Sequence, residues 1–193
     1  MKKELNHYIS LFKINSRYGF VEDIKLQELL YYYSGYISFI YYDEVKENGY
    51  SEELNELKAH TIFVYLGSII ESIVYYFVQK KLLDEKSKRK YLEIDEFKKL
   101  QKINETKNLY ICKLEKKEIT LNDSINFHWL INWIRDKKLL NSDIIDLIDN
   151  FRKKRNLVHI NVLLYSSWYK LIEELEQAFI DTKIILDYIE ENL

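Results

Sequence analysis

The run Phe151-Arg152-Lys153-Lys154-Arg155-Asn156-Leu157-Val158-His159 places two guanidiniums, two ammoniums, the carboxamide of Asn156 and an imidazole within a turn or two of helix. Arginine holds a phosphate through a planar fork of donors. Histidine, with an unperturbed pKa of about 6.5, can both take and give a proton near neutrality. Together these groups could bind an RNA phosphodiester and move protons across it without a metal.

Counted from Arg152, Arg155, Asn156 and His159 lie three, four and seven positions on, so on a helix the four share one face. Phe151, Leu157 and Val158 project elsewhere and would anchor the segment in a core. If the helix ends near Leu157, His159 sits at its C-terminal end. A plainer reading also holds, because basic residues near a helix C-terminus complement the dipole and a histidine there can be an ordinary cap. Upstream, Glu71 interrupts an otherwise apolar run, Thr61–Val78. A buried carboxylate needs a partner. Either it pairs with Arg152 or Arg155 and fixes that guanidinium, or it faces an unrecognised surface.

Composition limits what can position these residues. A chain of 193 residues fits one domain, 1–193, with room for an elaborated insert. The absence of proline, with only 4 glycines, argues against turn-dense β-folds and glycine-looped α/β folds, and favours long helices joined by short polar links. The fold class expected is all-α, a helical bundle with a small mixed insert. A formal net charge of −2 provides no global attraction for nucleic acid, so a polyanion site must be local. The lone Cys112 excludes an internal disulfide or a multi-cysteine zinc site and fits a reducing cytoplasm. His7, His60 and His128 are scattered, and H-E-x-x-H, CxxC, nucleophile-elbow and glycine-rich phosphate-loop patterns are missing; no metal or cofactor is expected. Met1–His7 lacks the apolar core of a secretory signal. Glu71 and the charged flanks make Thr61–Val78 a buried bundle helix rather than a membrane span.

The elements follow from periodicity. N-terminal helices fill 1–50: a short one near Asn6–Asn15, a turn at Ser16–Gly19, then a long one from about Glu22 to Glu47 closed by Asn48-Gly49. Ser51 caps a third, reaching about Leu83, in which Gly67, Ser68 and Ser72 would let another element approach closely. The insert, 84–122, suggests a short helix over Tyr91–Asn104. A hairpin is suggested between Leu109–Leu114 and Glu118–Leu121, turning at Glu115-Lys116-Lys117. Its Tyr110, Lys113, Lys116 and Lys117 could touch RNA, though the interleaved Glu115 and Glu118 favour a solvated loop. The final section, 123–191, starts with a helix capped by Asn122 or Asp123 and bearing Phe127, Leu130, Ile131 and Ile134. A helix capped by Ser142 leads into the basic run, and a last helix extends from about Ser166 to Glu191.

The basic run resembles the R-x(4–6)-H signature of the HEPN superfamily, in the variant R-x-x-R-N-x-x-H. Arg152 and His159 have six residues between them, the wide spacing; Arg155 and His159 have three, one short of the usual minimum, so either arginine could carry the family role. The preceding order is also similar: Trp129–Ile134, the leucine-bearing link Lys138-Leu139-Leu140, and Ile144–Ile148. Leu66–Ile73 resembles the family's earlier core helix, which often carries an acidic residue. The resemblance covers roughly residues 55–190, apart from 84–122. Val162 and Leu163 stand where some toxin subfamilies have a tyrosine.

The resemblance implies an antiparallel bundle that forms a homodimer, with two R–H motifs facing each other. It implies a metal-independent endoribonuclease that leaves 2′,3′-cyclic phosphate and 5′-hydroxyl ends, serving as a toxin or as an antiphage effector. His159, Arg155 and Arg152 would be catalytic, and Asn156, Lys154 and Glu71 would bind or orient. The partners would be RNA, a second copy, and an antitoxin or another defence protein, in the cytoplasm and without a membrane. The alternative is a HEPN-like RNA-binding or dimerisation module without turnover.

Overall fold

Residues 2–46, 51–84, 91–102, 108–117, 126–157 and 171–193 are described by a computed structural model. They fall into two units, Met1–Val78 with Asn126–Leu193, and Gln79–Ile125. The first is a helical bundle, and the fold class is all-α. The described helices are α1 (Lys2–Ile14), α2 (Ile24–Phe39), α3 (Glu52–Asp84), α4 (Phe127–Lys137), α5 (Ser142–Leu157) and α6 (Leu175–Glu191).

The apolar run centred on α3 forms the core. Ala59, Ile62, Phe63, Ile70, Ile73, Val74 and Phe77 are fully buried, which explains why this helix has no clear polar face. The stretch Leu54–Lys81 is long and apolar enough to cross a membrane by length and composition, yet 61% of its most apolar window is buried within the structure. Ile144, Ile145, Ile148 and Phe151 of α5 and Leu175, Ala178, Ile185 and Ile189 of α6 are buried as well. Helix α5 packs on both α4 and α6. Helices α1 and α2 meet at Gly35, where a β-carbon would stand 2.5 Å from Ile9 Cγ1 and 2.8 Å from the Ile9 backbone nitrogen.

The capping residues differ from several of the expected ones. Asp23 caps α2, its carboxylate accepting from the backbone of Lys25 and Leu26 at 2.9 and 3.1 Å. The long helix expected over Glu22–Glu47 changes character at Ile40, where a π-helical stretch Ile40–Lys46 takes over. The wider turn accommodates burial of the adjacent Ile40 and Tyr41, and the Tyr41 hydroxyl reaches Glu176 Oε1 on α6 at 3.1 Å. Asn48-Gly49 lies outside the described residues, as do Asn122, Asp123 and the expected start of the last helix at Ser166. A single 3-10 turn, Leu171–Glu174, leads directly into α6. Buried Glu56 on α3 holds that turn, accepting from the Leu171 backbone N–H at 2.5 Å and the Ile172 N–H at 3.3 Å. His60 Nε2 lies 3.4 Å from the same carboxylate, within ion-pair range but off the line of a hydrogen bond.

The second unit contains an antiparallel hairpin of β1 (Tyr91–Lys102) and β2 (Asn108–Lys117). The helix expected over Tyr91–Asn104 is therefore a strand. Glu115-Lys116-Lys117 is not a turn but pairs with Glu93, Leu92 and Tyr91. The cause lies in the register. One extra residue is absorbed between Ile94 and Glu96 and another between Lys99 and Gln101. Each bulge lets apolar spacing of three, which reads as helix, fit a two-residue repeat. Glu118–Leu121 lies outside the described residues.

Candidate functional site

Two capped helices build the site. The Asn126 side chain accepts from the His128 backbone at 2.8 Å and starts α4, whose Phe127, Leu130, Ile131 and Ile134 are buried. The helix ends at Lys138, in the left-handed conformation with φ 53°; Lys138 N–H bonds Arg135 O and Leu139 N–H bonds Ile134 O, both at 3.1 Å. Asn141, rather than Ser142, caps α5, its side-chain oxygen accepting from the Ile144 N–H at 2.8 Å. Phe151 then locks α5 to α3, its ring centroid 6.4 Å from that of Phe63.

With these faces buried, Arg152, Arg155 and Asn156 of α5 open onto a cleft of about 580 Å³. Val64 and Glu71 of α3 and Asn126, Phe127 and His128 also line it. Arg155 Nη1 donates to Glu71 Oε2, which is the pairing that a carboxylate in an apolar helix calls for. The arginine's stem lies on Gly67, where a β-carbon would stand 3.2 Å from both Arg155 Cβ and Cδ. Arg152 Nε donates to Asp149 Oδ1 at 2.7 Å, and Lys153 Nζ lies 2.8 Å from Asp149 Oδ2. Burial pushes the Asp149 carboxyl upward, but its hydrogen bonds to Lys153 and Arg152 and their charges prevail and hold it below its ordinary value.

Four of the expected residues, Arg152, Arg155, Asn156 and Glu71, thus share one cleft. Lys154 does not join them. One position along from Lys153, it points around the helix, pairs with Glu174 and lies 5.3 Å from the Phe63 ring centroid, tying α5 to the turn before α6. His159 lies outside the described residues, as do Val162 and Leu163. The insert residues Tyr110, Lys113, Lys116 and Lys117 fall on β2. Sequence reasoning missed Asn126, Phe127 and His128. The available signal was a polar stripe, His128-Asn132-Arg135, at helical spacing opposite the apolar face of α4.

Among the described residues, no three His, Cys, Asp or Glu side chains gather as a metal site would require. The cleft instead offers two guanidiniums, an imidazole and the carboxamides of Asn126 and Asn156, a donor set suited to an oxyanion. In comparisons with known proteins, no family model, no curated protein and no solved structure matches the chain.

Proposed function

We propose that this chain is a metal-independent endoribonuclease of the HEPN type, acting in the cytoplasm as a homodimer in a toxin or antiphage role. The observation that carries the reading is the shared cleft, in which Arg155 is braced by Glu71 and Gly67 beside Arg152 and Asn156. Two guanidiniums three residues apart can grip a scissile phosphate and neutralise charge that builds on its oxygens. His159 would take the 2′-hydroxyl proton or protonate the leaving 5′-oxygen. Asn156 would orient the phosphate or the ring. A twofold dimer would double the local positive charge and offset the slightly acidic chain.

The test is cleavage of RNA by purified protein in EDTA, with analysis of the product ends. Wild type is expected to yield 2′,3′-cyclic phosphate and 5′-hydroxyl ends. His159→Ala should abolish cutting while its circular dichroism and melting temperature stay unchanged. Equal cutting by that variant removes His159 from the mechanism. A second reading is favoured by one observation: both cleft arginines already hold carboxylate partners, Asp149 and Glu71. That arrangement suits an RNA-binding or dimerisation module without turnover, associated with an antitoxin or another defence protein. It predicts RNA or protein association with no cleavage at any concentration.

A further inference from the structure

The cleft holds an imidazole outside the R–H motif. His128 lines it together with Arg152, Arg155 and Asn156, and its ring is tied into a chain of hydrogen bonds along α4. Asn132 Nδ2 lies 3.2 Å from His128 Nε2, and Arg135 Nη1 lies 3.2 Å from Asn132 Oδ1. Asp146 Oδ1 of α5, 3.4 Å from Arg135 Nη2, holds the far end.

This chain has only one consistent direction. A guanidinium donates and never accepts, so the Asn132 oxygen must face Arg135 and its amide nitrogen must face His128. That amide nitrogen also only donates, so His128 Nε2 accepts and the ring proton resides on Nδ1. A neutral imidazole with a fixed N–H is a hydrogen-bond donor that can stabilise a developing oxyanion without giving up its proton.

We propose that His128 is a second catalytic imidazole of this cleft, donating its Nδ1–H to a non-bridging oxygen of the RNA phosphodiester, with Asn132 and Arg135 as positioning residues that lock its tautomer. The proposal rests on the ribonuclease reading above and adds a residue to it. As the 2′-oxygen bonds to phosphorus and the bond to O5′ breaks, the 2′-hydroxyl proton passes to His159. His159 or water returns one to O5′. The His128 proton stays on Nδ1 throughout, and its hydrogen bond shortens as charge collects on the phosphate oxygens.

Two measurements on the full chain test this. Long-range nitrogen–proton NMR of wild type should show the Nδ1–H pattern for His128. Asn132→Asp should switch it to Nε2–H, since a carboxylate accepts where the amide donated. In cleavage assays, His128→Ala should lose about 100-fold in kcat with a smaller change in KM, the scale for removing one oxyanion donor. His128→Gln, which restores an N–H, should recover part of that loss. An Nε2–H pattern in wild type, or His128→Ala cutting at the wild-type rate, overturns the assignment and leaves the ribonuclease reading standing. A wild type that cuts no RNA overturns both, and is distinguished by the missing activity of the parent protein.

Discussion

Gly67 is the residue on which the position of Arg155 turns. The alkyl stem of the arginine rests where a side chain at 67 would begin, and its guanidinium is held by Glu71 one helical turn further along α3. An added methyl 3.2 Å from both Cβ and Cδ forces a displacement of a few tenths of an ångström; Cδ can swing aside, but Cβ moves only with the backbone of α5. Gly67→Ala should therefore leave stability within about 1 kcal/mol of wild type, since helix propensity favours alanine by a similar amount. Cutting should fall about tenfold as Arg155 moves off its carboxylate, a size typical of a misplaced binding group. Parallel urea titrations and single-turnover cleavage would separate the two effects; unchanged cutting would show that the stem does not set the geometry. A pairing of Glu71 with Arg152 or Arg155 was one of two readings the sequence offered, because a carboxylate amid apolar residues asks for a cation; which arginine it takes was not legible. Lys154 was not, since a run of four basic residues does not reveal which of them turns toward Phe63 and Glu174.

Capping decides how α4 and α5 meet. Lys138 sits in the left-handed region at φ 53°, a conformation that costs an L-residue roughly 1 kcal/mol relative to glycine. Lys138→Gly should raise stability by about that amount, read as an increased urea midpoint with an unchanged slope. No rise would mean that the lysine side chain makes a compensating contact. The sequence identified both helices but misplaced their starts: Ser142 for α5, where the adjacent Asn141 caps, and Asn122 or Asp123 for α4, which is capped about a turn later by Asn126. Ser, Asn and Asp cap almost equally well, so adjacent candidates are separated by backbone geometry rather than residue type. The β1 strand was missed for a different reason. Two bulges give it an apolar spacing that mimics a helix.

At the scale of the molecule, one polar tie between distant parts of the chain is sensitive to acid. Arg17, in the turn after α1, pairs with Asp187 on α6 and also donates to Lys183 O at 3.1 Å. Partial burial pulls the Asp187 carboxyl upward, but the hydrogen bond and charge of Arg17, helped by Lys183, bring it below its ordinary 3.8. A carboxyl whose pKa is lower in the folded state adds stability that is fully present above the unfolded value. That stability is lost as pH falls through the folded one. Asp187→Asn should therefore be less stable than wild type near neutrality and converge with it as pH falls below the ordinary carboxylate range, as followed by urea midpoints across the acid range. A constant gap at every pH would show that the side chain acts through shape rather than charge. This tie could not be read from sequence, because its partners are separated by nearly the whole chain. The Glu56 clamp likewise joins residues far apart in sequence. From α3 its carboxylate holds the Leu171 and Ile172 N–H groups that open the turn into α6. A buried carboxylate 115 residues upstream thus fixes the entry of α6 onto the core helix, so a change at position 56 would be felt first at the mouth of that last helix.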